Sequence, residues 1–448
     1  MMNLREDAIA IWQAGVDAVR SEHLVAANVC CTPDNLTICG QDIPIRQLRR
    51  IEIIGAGKAG AGMSRGLLTA LRPLRPAIEI GGWVNVPADC AEPLNGITLH
   101  PARPAGLNEP TQDGVRGTQE MLKRVAALGP SDLCLALISG GGSALMPAPV
   151  PGISLADKLA VTRLLARRGA PIEHLNIVRS QLSLVKGGGL LRHCTAGRLL
   201  TLIVSDVIGD PLEIIASGPT TDSTFTAKDA LQILADYDSA RSLVPTSVYR
   251  FLEGGGRRLQ QTPCPVDNFV IGSNAIALAA AAAEAARRGY EVQNLGSENS
   301  GNATEHGNMM FERLCEQRDR NRTTPGRAVC LLAGGETTVR LADNTTPGQG
   351  GRNQEVVLSA ISGRPDAQHW QHVALLSGGT DGEDGPTDAA GAVADAALVQ
   401  NMVRRKLDPD SFLAVNNSYP FFRELDGLLI TGPTHTNVMD VAVGLTGA

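Results

Sequence analysis

The chain has 448 residues, of which 43% are hydrophobic and 19% charged, and its 40 Lys and Arg against 46 Asp and Glu give a net charge of −6. At roughly 150 residues per domain this length predicts two or three domains, and an acidic balance without a basic stripe excludes nucleic acid and anionic membrane as partners. Aromatic residues, at 3%, are too few for recognition of single strands by stacking.

The longest apolar run, 275–283, stops at Glu284, well short of the ~18 residues that a membrane span needs. Glu6 and Asp7 stand where a signal peptide would have its apolar core. The nine cysteines are scattered and form no C-x-x-C, which suits reduced thiols in a cytoplasmic protein. Glycine is the unusual count: 49 residues, where an average content of ~7% gives about 31. Without a G-X-Y period, the surplus predicts many tight backbone turns in a folded chain.

Short apolar runs ending in glycine alternate with helical patterns, the rhythm of a parallel α/β protein. A first helix is expected over 4–27, with Ala8, Ile11, Gly15 and Val19 on one face. A strand at 51–54 then runs into Gly55-Ala56-Gly57-Lys58 and a helix ending near Arg72. A strand over 78–86, a helix over 110–128 and a continuously apolar, buried strand over 133–138 follow. Ser154 with Asp157 three residues on is a capping pattern that opens a helix to Arg168. A strand at 199–204 leads into Ser205-Asp206.

Gly254-Gly255-Gly256, continuing to Pro263 and Pro265, reads as a linker. Strands at 269–272, 291–295, 328–333 and 373–376 then alternate with helices at 274–288 and 353–361. The expected division is a first domain over 1–243, a linker region over 244–268 and a second domain over 269–448.

The loops carry the chemistry. Gly55-x-Gly57-x-x-Gly60 follows a strand and opens a helix, with Glu79 near the place of the acid in a dinucleotide fingerprint. Lys58 at that helix start is unfavourable beside the positive end of the helix dipole. An anion such as phosphate would offset it. The loop Ser139-Gly140-Gly141-Gly142-Ser143 adds bare backbone and hydroxyls for phosphate, whereas a Walker A sequence occurs nowhere. Arg352, after Gly348-Gln349-Gly350-Gly351, repeats the basic helix start with a bidentate donor. Gly334-Gly335-Glu336 is a further glycine turn with an acid.

Carboxylates cluster at two strand ends, Asp206 with Asp210 and Asp381 with Glu383, Asp384 and Asp388. Ligands of open α/β sheets gather at such ends, and Mg²⁺ needs one or two carboxylates beside phosphate oxygens and water. His369 and His372 flank Trp370 without a supporting acid, and the remaining histidines are isolated, so no zinc set is visible.

Taken in order, these loops resemble the glycerate 2-kinase family whose members carry a C-terminal MOFRL domain and are often labelled hydroxypyruvate reductases. The resemblance rests also on Asn176-Ile177-Val178-Arg179, Val185-Lys186-Gly187-Gly188, Ser205-Asp206-Val207-Ile208-Gly209-Asp210, Ala216-Ser217-Gly218-Pro219-Thr220 and Gly379-Thr380-Asp381-Gly382, and spans nearly the whole chain. It implies an N-terminal Rossmann-like parallel sheet with flanking helices, a smaller C-terminal α/β domain, and transfer of the γ-phosphoryl group of ATP to the 2-hydroxyl of D-glycerate with Mg²⁺. It also points to Lys58 and Arg352 as the key basic residues.

On that basis Gly57, Ser139, Gly140, Gly141, Gly142, Ser143, Gly334, Gly335, Glu336 and Asn353 are the expected ATP and phosphate residues. Asp206, Asp381 and Glu336 are the expected metal ligands, and Asp206 or Asp381 takes the hydroxyl proton. The chain departs from the family pattern at Ser180-Gln181, where Lys-His is usual, and at His435, where glycine is usual. The partner implied is a small molecule, D-glycerate, with neither nucleic acid nor membrane, and a homo-oligomer is compatible with the sequence. The rival reading from Gly55-x-Gly57-x-x-Gly60 and Glu79 is an NAD(P)H-dependent hydroxypyruvate reductase.

Overall fold

A computed structural model describes residues 3–447 except Pro76, Asn108, 258–263, 324–325 and 343–347. These residues divide into two compact units: Ser21–Ile271 is one, and the residues up to Arg20 together with those from Gly272 onward are the other.

The first unit begins with the helix Ser21–Asn28 and an antiparallel meander of β1 (Val29–Cys31), β2 (Asn35–Ile38) and β3 (Gln41–Pro44). β4 (Arg50–Ala56), β5 (Glu79–Pro87), β6 (Ile97–Arg103), β7 (Asp132–Ser139), β8 (Arg198–Val204) and β9 (Val266–Gly272) form its main sheet, ordered β6-β5-β4-β7-β8-β9. The pairs from β6 across to β8 are parallel. This is the Rossmann-like order, and it reverses between β4 and β7, the switch point outside which ligands of such sheets bind.

β7 is buried along its whole length, which explains its uninterrupted apolar sequence. The amphipathic helix Gln112–Ala126 turns Val115, Met121, Leu122 and Val125 onto the sheet. The helix Leu155–Arg167 opens with the expected reciprocal cap between Ser154 and Asp157.

The second, smaller unit holds a mixed sheet of β10 (Glu291–Asn294), β11 (Val329–Gly335), β12 (Val373–Gly379), β13 (Gly391–Asp395), β14 (Leu428–Leu429) and β15 (Asp440–Thr446), ordered β10-β11-β15-β12-β13-β14. β15 inserts antiparallel to both neighbours. The helix Leu4–Ala18 belongs to this unit: a Cβ at Gly15 would stand 2.9 Å from the carbonyl oxygen of Ala277, so glycine lets it lie directly on the helix Asn274–Arg287. Trp12 Nε1 donates to the Gly378 carbonyl at 3.1 Å.

Two expectations about organisation come out differently. The helix expected over 4–27 is two helices, broken at Val19 and Arg20, and the break coincides with the division between units. The strand expected to open the second domain at 269–272 is part of β9, the edge of the first sheet. The linker region 244–268 contains the helix Thr246–Glu253, which buries Val248, Tyr249 and Leu252, while its residues 258–263 lie outside the described residues. Among the described residues no helix is long and apolar enough to cross a membrane.

Candidate active site

The first glycine turn leaves β4 at the switch point. Gly57 has φ +152°, and a Cβ there would stand 1.9 Å from Ser139 Oγ. No other residue fits without moving β7. The backbone N–H groups of Gly57, Lys58 and Ala59 donate to Asn85 O (3.2 Å), Gly140 O (2.9 Å) and Ser139 Oγ (3.0 Å). These are amides that a dinucleotide fingerprint would offer to pyrophosphate, and here protein acceptors occupy them. Glu79 does not serve as the ribose acid either. It is the first residue of β5, in register with Arg50 at the start of β4, with Arg50 Nε 3.8 Å from its carboxylate. In a parallel sheet both residues sit at the amino ends, about 20 Å of strand from the ligand loops.

The turn instead presents the Lys58 side chain, whose Cγ lies 3.8 Å from where a Gly141 Cβ would be. Gly141 adopts the left-handed conformation at φ +78°. Arg103, 5% exposed, also borders it, and burial lowers the Arg103 pKa.

Ser143 closes this second loop within a polar cluster. Lys186 Nζ donates to Ser143 O (3.1 Å), Ser143 Oγ (2.6 Å) and Ser217 Oγ (3.2 Å). Arg179 donates to Ser143 Oγ and to Asn176 Oδ1 (3.4 Å), and Ser217 Oγ donates to Asn176 Oδ1 (3.1 Å). Ala216 and Ser217 hold positive φ of 49° and 63°, which is strained for residues with a Cβ.

Beside this loop is a cavity of about 370 Å³, with Gly141, Ser143, Lys158, Arg179 and Lys186 in its wall. Burial, then the charge of Arg179, pushes the Lys158 ammonium down to about 7. Lys186 is held well below the usual lysine range by burial, Arg179 and Lys158. The helical pattern around Lys158 gave no sign of a site, because a lysine in a first helical turn reads as solvated. Ser180 and Gln181, where the resemblance expects Lys-His, are buried and donate to Ile177 O and Phe225 O, both at 2.7 Å. His435 takes the glycine-like φ of +57°.

In the second unit, β15 places Asp440 opposite Gly335 of β11 and Gly379 of β12. Arg352, first residue of the helix Arg352–Gly363, grips Asp440 at two points, Nε to Oδ2 at 2.5 Å and Nη2 to Oδ1 at 3.0 Å. Its Nη1 lies 3.1 Å from Glu336 Oε1. Burial pulls the guanidinium pKa down, but Asp440 and then Glu336 outweigh it and raise it overall.

The start of that helix is capped from within the protein. Asp384 accepts from the backbone N–H of Asn353 (3.0 Å) and Gln354 (2.8 Å), so a protein carboxylate meets the helix dipole there. Asn353 is buried, with its amide nitrogen on Asp440 Oδ1 (2.9 Å) and Asp384 Oδ1 (3.3 Å) and its oxygen accepting from Ser377 Oγ (2.6 Å). A Cβ at Gly379 would meet Asp381 Oδ1 at 3.1 Å and Asp440 Oδ1 at 3.5 Å, so the two carboxylates converge over that glycine.

Thus Lys58, Ser139 to Ser143 and the half-buried Asp206 lie at carboxyl strand ends of the first sheet, while Arg352, Glu336, Asp381, Gly334 and Gly335 gather in the second unit. Asp440 carried no signal in the sequence, since its partners come from β11, β12 and Arg352. Among the described residues no group of three or more His, Cys, Asp or Glu is placed to hold a metal ion. A pair such as Asp381 and Asp440 is nevertheless the number of carboxylates that Mg²⁺ uses beside phosphate.

These features define a two-unit α/β protein whose basic residues stand on glycine turns at the carboxyl ends of its strands. A family model described as a domain of unknown function, DUF4147, matches residues 7–253, and the MOFRL family model matches residues 329–440. Glycerate kinase of Homo sapiens is 34% identical, with 98% of this chain and 92% of that protein covered. Glycerate kinase of Danio rerio is 36% identical, with 99% and 98% covered. A protein of Agrobacterium vitis named as a hydroxypyruvate reductase is 39% identical over 89% of this chain and all (100%) of its own. The crystal structure of glycerate kinase from Thermotoga maritima superposes with a TM-score of 0.83 at 32% identity, with 99% of both chains covered. The chain belongs to the DUF4147–MOFRL family, the family of these glycerate kinases.

Proposed function

We propose that the protein is a glycerate kinase that uses ATP and phosphorylates the 2-hydroxyl of D-glycerate. The observation that carries this reading is similarity along nearly the whole chain to proteins named glycerate kinase. The reaction breaks the bond from the γ-phosphorus to the ADP oxygen and forms one to the 2-oxygen, with the hydroxyl proton passing to a carboxylate.

Ser139, Gly140, Gly141, Gly142 and Ser143, with Gly334, Gly335 and Glu336, are assigned to ATP and its phosphates. Gly57 and Asn353 are also expected there from the sequence, but their amides are committed to protein partners, which supports a packing role for both. Lys58 and Arg352 neutralise the transferring group and the glycerate carboxylate, the electrostatic work that dominates phosphoryl transfer. Asp206 or Asp381 accepts the proton. Mg²⁺ would supply further neutralisation of phosphate charge, with one or two of Asp206, Asp381 and Glu336 holding it. The same reading makes the protein cytoplasmic, with room for a homo-oligomer.

The reductase reading loses the dinucleotide motif on which it rested, because the amides of Gly57 to Ala59 are occupied and Glu79 stands at the amino ends of the strands. A coupled assay separates the two. D-glycerate with Mg-ATP is expected to release ADP, with no NADH consumed on hydroxypyruvate. NADH consumption without ADP release would overturn the kinase reading.

A further inference from the structure

The cavity beside the Ser139–Ser143 loop concentrates three basic side chains that no carboxylate among the described residues pairs with. Lys158 and Lys186 are 7% and 3% exposed, and Arg179 shares their wall. Lys158 Nζ is buried with no hydrogen-bond partner among the described residues. Among the described residues, Lys186 and Arg179 donate to neutral acceptors, on Ser143, Ser217 and Asn176. The acid in the cavity wall, Glu109, is held at both oxygens by Arg163, at 3.2 and 2.6 Å. Burying a cation without a counter-ion is costly, and placing three together adds mutual repulsion, so without an anion the two lysines are driven toward their neutral forms and a bound anion restores their charge. Stability does not explain such an arrangement; an anionic ligand does.

The charge and size of the cavity select the ligand class. One carboxylate would leave two of the three cations unmatched, and about 370 Å³ is ample for a chain of phosphates. The glycine at position 141, with bare backbone at φ +78°, lines the same space.

We propose that this cavity is a polyphosphate site, in which Lys158, Arg179 and Lys186 bind the phosphate tail of a nucleoside di- or triphosphate. The nucleoside part rests on the kinase reading; the polyanion part stands on the cavity alone.

The test is calorimetric titration of the full-length protein with inorganic tripolyphosphate and with ADP, alongside thermal melts. Wild type is expected to bind both competitively. Lys158→Met is expected to weaken each by at least about tenfold, the effect of losing one charge-assisted contact, with little change in KM for D-glycerate. It is also expected to raise the melting temperature of the ligand-free protein, since it removes a buried nitrogen that has no hydrogen-bond partner among the described residues; a merely structural lysine would lower it. Thr162→Glu, which puts a carboxylate into the same wall, gives a second variant and is expected to abolish tripolyphosphate binding.

Unchanged phosphate affinity in both folded variants would overturn the proposal, as would a selective loss of D-glycerate binding. Tripolyphosphate binding that depends on Lys158, in a protein that does not turn over ATP and glycerate, would keep this site and remove the kinase reading. Normal ATP kinetics in Lys158→Met would do the reverse.

Discussion

Arg352 and Asp440 meet at two points, Nε on Oδ2 and Nη2 on Oδ1, although 88 residues separate them in sequence. The fold makes the pair by sliding β15 between β11 and β12, where Gly335 and Gly379 flank Asp440 without side chains of their own. Removing one partner of a fully buried pair costs ~3–5 kcal/mol. Arg352 is 32% exposed at its side chain, so Asp440→Ala is expected to cost about 2 kcal/mol. Urea unfolding measures this, and a wild-type midpoint would show that the pair contributes nothing. Asp440→Ala is also expected to lower turnover by releasing the guanidinium from its position.

Lys58→Ala and Arg352→Ala are expected to cut turnover by a factor of about 10²–10³ each, the usual size of a lost electrostatic contact in a transition state. Circular dichroism should find the Lys58→Ala fold intact. Near-normal initial rates in both variants would remove these residues from catalysis.

Asp384 gives a pH signature. Burial pushes its carboxyl up to about 6, with a smaller push from Asp440, against the N–H groups of Asn353 and Gln354 and the Arg352 charge. A folded pKa above the unfolded ~3.9 means that the folded state holds the proton more tightly. The contribution of Asp384 to stability is therefore full below about pH 4 and is lost as pH rises through 6. The stability difference between wild type and Asp384→Asn should change across that window and be flat outside it. Urea midpoints at closely spaced pH values read it, and parallel curves throughout would contradict the assignment.

Gly57→Ala pushes a methyl group into Ser139 Oγ and breaks the contact from the Ala59 N–H. A cost of about 2–4 kcal/mol is expected. Gly152→Ala is the control, because Gly152 has φ +87° but nothing within 4 Å. It should show only the left-handed backbone term, roughly 1–2 kcal/mol. Equal losses in the two variants would mean that the close approach to β7 is unimportant.

The sequence made legible whatever is local. The apolar run of β7, the cap between Ser154 and Asp157, and the turns at Gly57 and Gly141 all depend on neighbours within a few residues, and each is in place. Glu79 misled because spacing along the chain does not say which end of a strand an acid occupies. Asp440 and the break after Ala18 were not legible, since both are set by packing against segments hundreds of residues away or inserted between other strands. Lys158 carried no signal in the sequence, because its burial is set by packing of its helix and not by its neighbours along the chain.

Phosphorus NMR of the full-length protein with D-glycerate, ATP and Mg²⁺ tests the central claim most directly. The γ-phosphate signal should disappear as a phosphomonoester grows in, split into a doublet by the single proton on carbon 2. A triplet from the two protons of carbon 3, or an undiminished γ-phosphate signal, would contradict it.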